Sequence, residues 1–426
     1  MMAFLSAEIR RVRTSSLAFN AGWMLVGQGT NLVLQAAYFI LLARLLGVRE
    51  YGIFAGAFAF VSIAMPYSSL GSGLLFVRYV SADSREFAQY WGNILLSTIG
   101  VGALITALLY FIAPHLLNPE SASLILLVAL AECVCRQLTI CIGQIFQAYE
   151  RLRVTAGVAL LTSFLRLVAV AMVILFLRRA TAWQWALASL LATILAAIVS
   201  ATLVLTRLGS PTFSPRLFRM RLSEGFNFSF AGSTQSAYND IDKTMLSHFS
   251  MNVANGIYTM AYRIIDIANL PIAALDAAAL PRYFRQSREG AASVKALSFR
   301  LAGRTALFGL VMAAILLLGA PLIPCILGYG FRDSVTALRW LCLIPIFRGV
   351  HQLTGSAVTG MGYQHYRTRA QIGVAILNLA LNIWLIPKHG WLGAAWASLV
   401  TDGTLAAANW SILRSLRHGF MEVSTA

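Results

Sequence analysis

The residues able to do chemistry in this chain are charged groups set inside long apolar runs. Arg136, Arg166, Arg263 and Arg348 fall within such runs, as do Asp240, Asp242 and Lys243. A guanidinium stays ionised and donates two parallel hydrogen bonds to phosphate oxygens, so arginines in these places point to an anionic ligand of the phosphate or diphosphate type. Carrying a charge to the middle of a bilayer costs about 2.5–3.5 kcal/mol on insertion scales, so it is kept where it faces protein or water. The four arginines therefore predict a water-filled vestibule between two halves of the chain, with Gln28, Asn31 and Asn239 as further polar lining.

Each charged group has a structural alternative. Glu132 and Arg136 are four apart and Arg263 and Asp266 three apart, spacings that place each pair on one helix face as an internal ion pair. Arg166 sits between Leu165 and Leu167 with no carboxylate nearby in sequence, which makes it the foremost candidate for an anion contact. Asp240 and Asp242 are two apart and should point to roughly opposite helix faces. Shielded from water, a carboxylate binds a proton more readily, so Asp240, Asp242 and Lys243 are candidates for proton or sodium coupling or for a gating contact between the halves. The competing expectation is a helix end at the aqueous surface. Arg78 and Arg282 fall at the ends of two runs, as anion catchers at the cytoplasmic mouth or as interfacial anchors.

The elements that must position these residues are membrane helices. Of the 426 residues 58% are hydrophobic and only 12% charged, a balance that excludes a soluble globule. Near-continuous apolar runs cover residues 95–113, 124–145, 154–177, 187–205, 307–323 and 392–413, each about the 20 residues needed to cross the hydrocarbon. Less pure runs cover 20–43, 51–75, 226–248, 255–280, 335–358 and 370–386. The fold class expected is an all-α polytopic membrane protein of about twelve transmembrane helices.

Residues 206–223 interrupt this pattern with basic residues, Ser210-Pro211 and Ser214-Pro215, and a helix cannot run on past such prolines. The expected organisation is a six-helix bundle over 1–205, a cytoplasmic linker over 206–223 and a second six-helix bundle over 224–426. Six spans per half means that both halves enter from the same side, so any repeat is parallel. Sliding the chain by 204 residues aligns Gly52 with Gly256, Ile53 with Ile257, Ala57 with Ala261, and Arg78-Tyr79 with Arg282-Tyr283. The two bundles are expected to be pseudo-symmetric copies.

The run Leu45-Leu46-Gly47 through Tyr51-Gly52-Ile53-Phe54, followed by Gly71-Ser72-Gly73 and Arg78-Tyr79, resembles the first two helices of Wzx-type polysaccharide flippases. Asp242-Lys243-Thr244-Met245-Leu246, then Gly256-Ile257-Tyr258 and Ala261-Tyr262-Arg263, resembles the start of their second half. The resemblance covers essentially the whole chain. It implies the fold of the superfamily that also holds MATE-type multidrug antiporters and lipid II flippases. It also implies a substrate, a polyprenyl-diphosphate-linked oligosaccharide moved from the cytoplasmic to the periplasmic leaflet by alternating access for surface polysaccharide assembly. Membrane lipids, a polysaccharide polymerase and chain-length machinery are the partners it implies. A cation-coupled small-molecule antiporter of the same superfamily is the rival reading, and a membrane-embedded glycan-processing enzyme a more distant one.

The formal charge of +17 would suggest nucleic acid in a soluble protein, but here the basic residues flank spans and follow from insertion and anionic headgroups. Arg10, Arg11, Arg13, Arg151, Arg153, Arg216, Arg219, Arg285 and Arg288 fall on one side and only Arg44, Arg49, Arg178, Arg179, Arg332 and Lys388 on the other. This asymmetry predicts both termini cytoplasmic, residues 1–16 being a retained arm, and the flippase resemblance implies a bacterial inner membrane. The five cysteines lack zinc-type spacing, so no metal or organic cofactor is expected. No phosphate loop, nucleophile elbow or HExxH pair is present, and the loops at 114–121 and 328–333 are short, so no enzyme is expected.

Overall fold

The computed structural model describes the backbone of residues 2–177 and 179–416, with side chains from Gly27 onward. The expected arm at 1–16 with Arg10, Arg11 and Arg13, together with Arg178 and Arg417, lies outside the residues whose side chains are described. The structure is all-helical, with no strand among the described residues, and its helices group into twelve rods. Among the described residues, eight helical stretches are long and apolar enough to cross a membrane by length and composition. The large apolar side chains they expose, such as Phe111, Leu175, Phe176 and Leu318, suit lipid rather than water.

The chain divides into two compact units, Met1–Thr244 and Met245–Ala426. In the first unit, α1 (Met2–Ala64) carries two spans in one continuous element, broken at Gly47 with φ 70° and ψ 174°, a conformation open in practice only to glycine. The second span continues through a 3₁₀ turn (Met65–Ser69) into α2 (Ser72–Val80). The third is α3 (Phe87–Leu95), a π-helical turn (Leu96–Val101) and α4 (Gly102–Leu116). After the short α5 (Pro119–Ala122), the fourth is α6 (Ile125–Ala129), a second π-helical turn (Leu130–Arg136) and α7 (Gln137–Ala148). The fifth and sixth are α8 (Leu152–Phe176) and α9 (Ala182–Arg207). Two cores hold the unit together, one around Phe76, Trp91, Ile142 and Phe146, the other around Ile53, Val61, Leu109 and Ile125. Ala57, Ala113 and Ala129 in the latter let backbones approach closely where apolar burial against lipid supplies little driving force.

The interruption expected over 206–223 is shorter. Helix α9 ends at Arg207 and α10 (Pro215–His248) begins on Pro215, so only residues 208–214 lie between helices. Proline suits the first turn of a helix because its missing N–H would have no intrahelical partner there. The compact units part at Thr244/Met245, within the seventh span, rather than in the interruption. Within the first unit α10 sits hard against the second span: a methyl group on Gly225 would overlap the Leu70 carbonyl oxygen.

The second unit continues through α11 (Asn252–Gln286), α12 (Ala291–Gly319), the short α13 (Ile323–Leu327), α14 (Ser334–Leu341), α15 (Ile344–Gly360), α16 (Gln364–His389) and α17 (Trp391–Ser415). Tyr283, Leu353, Met361 and Leu413 are in its core. The internal match at an offset of 204 has a structural counterpart. Ser121 Oγ donates to the Ile53 carbonyl at 3.0 Å in the first unit, and Ser334 Oγ donates to the Ile257 carbonyl at 3.1 Å in the second. Ile53 and Ile257 are the residues that the offset pairs, and the break at Gly47 corresponds to Met251, which precedes α11.

Candidate anion and ion-pair sites

In the first unit, Glu132 lies on the π-helical turn of the fourth span and is buried. Its Oε2 accepts from Arg136 Nη1 at 2.7 Å, the pair expected from their spacing. Its Oε1 accepts from Arg166 Nη2 of α8. The sequence offered no carboxylate near Arg166; the fold brings one from 34 residues away on the preceding span. One carboxylate thus meets two guanidiniums. Arg166 remains 14% and Arg136 34% exposed at the side chain, so both present surface to an incoming anion. π-helical turns occur mostly as single-turn bulges inside α-helices, frequently at functional sites.

Asp240, Asp242 and Lys243 form a second cluster on α10. Lys243 Nζ donates to Asp240 Oδ1 at 2.6 Å and to the Asn239 carbonyl at 2.5 Å, and lies 4.0 Å from Asp242 Oδ1. The two carboxylates, expected on opposite faces, are both within reach of one ammonium because the lysine stem is long and flexible. Ser62 Oγ on α1 donates to Asp240 Oδ2 at 2.7 Å, tying the second span to the seventh inside this unit. Of the expected polar lining, Asn31 accepts from Ser163 Oγ at 2.5 Å, Gln28 is exposed, and Asn239 serves Lys243 through its backbone carbonyl.

Arg78 Nη1 donates to Glu224 Oε1 at 2.5 Å while its side chain stays largely exposed. Around it is a knot that sequence reasoning missed. Arg221 donates to Tyr79 Oη at 2.8 Å and Tyr90 Oη at 3.2 Å, and its guanidinium stacks 3.7 Å from the centre of the Tyr79 ring. Tyr79 Oη in turn donates to Glu224 at 2.9 Å. Only the i,i+3 spacing of Arg221 and Glu224 on a basic helix start could have signalled it.

In the second unit, Arg348 on α15 is buried and reaches three partners. Nη1 donates to Asp266 Oδ1 at 3.1 Å, Nη2 to Tyr262 Oη at 2.5 Å, and Nε lies 3.7 Å from Asp402 Oδ2. Asp266, expected beside Arg263, is thus engaged by an arginine on another helix. Asp402 is 1% exposed and has Arg348 and the Nε2 of His351, at 3.5 Å, beside it. Here two carboxylates meet one guanidinium, the reverse of the balance at Glu132. Arg263 is half-buried on α11, and Arg282 is exposed near the end of that helix. Deeper toward the end of α11, Asp276 Oδ2 accepts from Ser356 Oγ at 3.0 Å. Among the described residues no group of three or more His, Cys, Asp or Glu could hold a metal ion.

Comparison with known proteins follows this geometry. The profile of the family described as polysaccharide biosynthesis protein matches residues 17–286, well over half of the chain. No curated protein matches by sequence. Among solved structures, a multidrug resistance MATE family transporter of the MOP superfamily in its inward-facing conformation superposes with a TM-score of 0.77 at 16% identity, over 90% of this chain and 94% of that one. The lipid II flippase MurJ, in an inward closed conformation, gives 0.69 at 12% identity over 92% and 87%. A MOP superfamily transporter from Pyrococcus furiosus, described as having a binding pocket of reversed polarity, gives 0.62 at 15% identity over 94% of each chain. At these identities the likeness is one of fold.

Proposed function

Because this chain belongs to the polysaccharide biosynthesis protein family, we propose that it is a flippase carrying a polyprenyl-diphosphate-linked oligosaccharide from the cytoplasmic to the periplasmic leaflet of a bacterial inner membrane. The observation that carries the reading is the Glu132 trio, two guanidiniums sharing one buried carboxylate inside membrane spans. A diphosphate can accept the paired donors that guanidiniums offer. The prenyl chain stays in lipid, and the sugar hydroxyls travel along polar protein surface, which avoids the few kcal/mol that each unpaired hydroxyl would cost in hydrocarbon. The MATE and MurJ likenesses in fold agree with a transporter rather than a polymerase or transferase.

The carboxylate-rich groups suit coupling. Asp240 and Asp242 share Lys243, and Asp266 and Asp402 share Arg348, so each group has room for a proton or a sodium ion during the cycle. In this reading both termini are cytoplasmic, membrane lipids surround the spans, and the delivered oligosaccharide passes to a polymerase and its chain-length machinery. The antiporter alternative would place substrate recognition on carboxylates, whereas the partly exposed guanidiniums of Arg136 and Arg166 favour an anion.

The test is reconstitution of the full chain into proteoliposomes carrying a fluorescent polyprenyl-diphosphate-linked sugar in both leaflets. Wild-type protein should expose the inner pool to an external quencher, and an Arg136→Ala/Arg166→Ala variant of equal yield should do so at least about tenfold more slowly, the loss expected when charge-assisted bonds to a ligand are removed. Equal rates in the two would overturn the assignment, and no exposure by wild type would overturn the flippase reading.

A further inference from the structure

The first span carries amides where a helix facing only lipid and protein would carry aliphatic side chains. Gln28, Asn31 and Gln35 recur at intervals of three and four, so they share one stripe of α1. Gln28 and Gln35 are exposed and Asn31 is half-buried. The stripe lies near the middle of the apolar run at 20–43, a depth at which an amide turned to hydrocarbon would leave its donors and acceptors unpaired. It therefore faces water or a polar ligand. Val33, 67% exposed, is on the far side of the helix, where lipid suits it.

Two contacts fix which way the stripe looks. Helix α1 packs along α8: a methyl group on Gly27 would lie 2.7 Å from the Ala156 Cβ, and Ser163 Oγ donates to Asn31 Oδ1 at 2.5 Å. The two contacts advance together along both helices, which therefore run parallel. At about 100° per residue, Gln28 and Gln35 then turn to the same side of the helix pair as Arg166, three residues beyond Ser163, and Thr30 turns to the other. The rise is about 4.5 Å from Ser163 to Arg166 and about 6 Å from Asn31 to Gln35. The amides of α1 and the guanidinium of α8 thus stand within about one helical turn of each other in depth. On that side Arg166 is joined through Glu132 to Arg136, and both guanidiniums keep exposed surface.

We propose that the Gln28, Asn31 and Gln35 stripe takes the hydroxyls of the first sugar of the transported lipid, the ring bonded directly to the diphosphate. The inference rests on the flippase reading, in which Arg136 and Arg166 take the diphosphate. With the phosphates on those arginines, the ring attached to them comes to polar groups about one turn away, and these amides are such groups. Each primary amide offers two N–H donors and an acceptor oxygen, which matches hydroxyls that both donate and accept. Ser163 holds Asn31 by its Oδ1, so the Nδ2 hydrogens serve as donors to a ligand oxygen. Residues 21–43 hold no charged side chain, so the stripe selects a neutral polar group and leaves the phosphates to α7 and α8.

The experiment compares two probes on the full chain in lipid nanodiscs: polyprenyl-diphosphate-linked oligosaccharides extracted from cells that carry the protein, and undecaprenyl diphosphate without sugar. Gln28→Leu/Gln35→Leu removes the exposed amides at nearly constant size, and Thr30→Leu makes an exposed position on the other side of the same helix equally apolar. Wild type should bind the sugar-bearing lipid at least about tenfold tighter than the bare one, the scale of one or two hydrogen bonds. The double variant should lose most of that preference while binding the bare lipid as wild type does, and Thr30→Leu should keep it. Four results overturn the subsite and leave the flippase reading standing: no preference in wild type, preference retained in the double variant, equal weakening of both lipids by it, or the same loss in Thr30→Leu. Wild type binding neither lipid overturns the flippase reading and the subsite with it. If the double variant fails to fold, Gln35→Ala and Asn31→Ala decide the matter by the same comparison.

Discussion

Arg166 of α8 donates to the carboxylate of Glu132, a residue already engaged by Arg136 on its own span. The relationship makes Glu132 the shared partner of a buried charge cluster, and removing it takes an ionic partner from two guanidiniums. Breaking a buried pair from one side costs about 3–5 kcal/mol, because the remaining charge keeps its desolvation penalty. Glu132→Gln should therefore lower the thermal unfolding midpoint of the purified protein markedly, and Glu132→Gln combined with Arg166→Gln should recover part of the loss. Additive damage in the double variant, read by the same unfolding assay, would show that the two residues are not coupled.

The same logic ranks the two acids that share Arg348. Asp402 is 1% and Asp266 43% exposed at the side chain. Asp402→Asn should cost several-fold more stability than Asp266→Asn, whose solvent-screened pair contributes at most about 1 kcal/mol. Equal midpoints for the two variants would contradict this ranking.

Ser121 and Ser334 make matched hydroxyl-to-carbonyl bonds in the two units. Both hydroxyls are buried and their acceptor carbonyls lie within helices, so Ser121→Ala and Ser334→Ala should each cost about 0.5–1.5 kcal/mol, the net worth of one hydrogen bond, and by similar amounts. Chemical denaturation followed by tryptophan fluorescence measures both. A loss confined to one variant would break the structural equivalence of the repeats at this point.

Two glycines separate backbone strain from close packing. A methyl at Gly47 meets no atom within 4 Å, so Gly47→Ala should cost only the strain of its positive φ, about 1–3 kcal/mol. At Gly225 the methyl would collide with the Leu70 carbonyl, and Gly225→Ala should abolish folded protein or shift α10 off the second span. Size-exclusion profiles and yields of the two variants check the order.

The division between sequence and structure is visible in particular residues. Span number, the Glu132–Arg136 pair and the repeat through Ile53 and Ile257 were legible, because apolar run length, helical spacing and self-similarity are local properties written along one dimension. The extent of the interruption was misjudged because Pro215 was read as a stop where it serves as a helix start. The partners of Arg166, Arg348 and Asp402 were not legible at all. Each sits tens of residues away on another helix, and nothing in the sequence states which helical faces meet.

By itself the sequence determined a polytopic membrane protein built of two related halves, because hydrocarbon thickness and the cost of exposed peptide groups leave a chain of this composition no other course. Only the tertiary structure decided which buried charges neutralise one another, where one carboxylate must serve two arginines and where two serve one. Charge balance is a property of neighbours in space, and it is packing rather than order along the chain that chooses those neighbours.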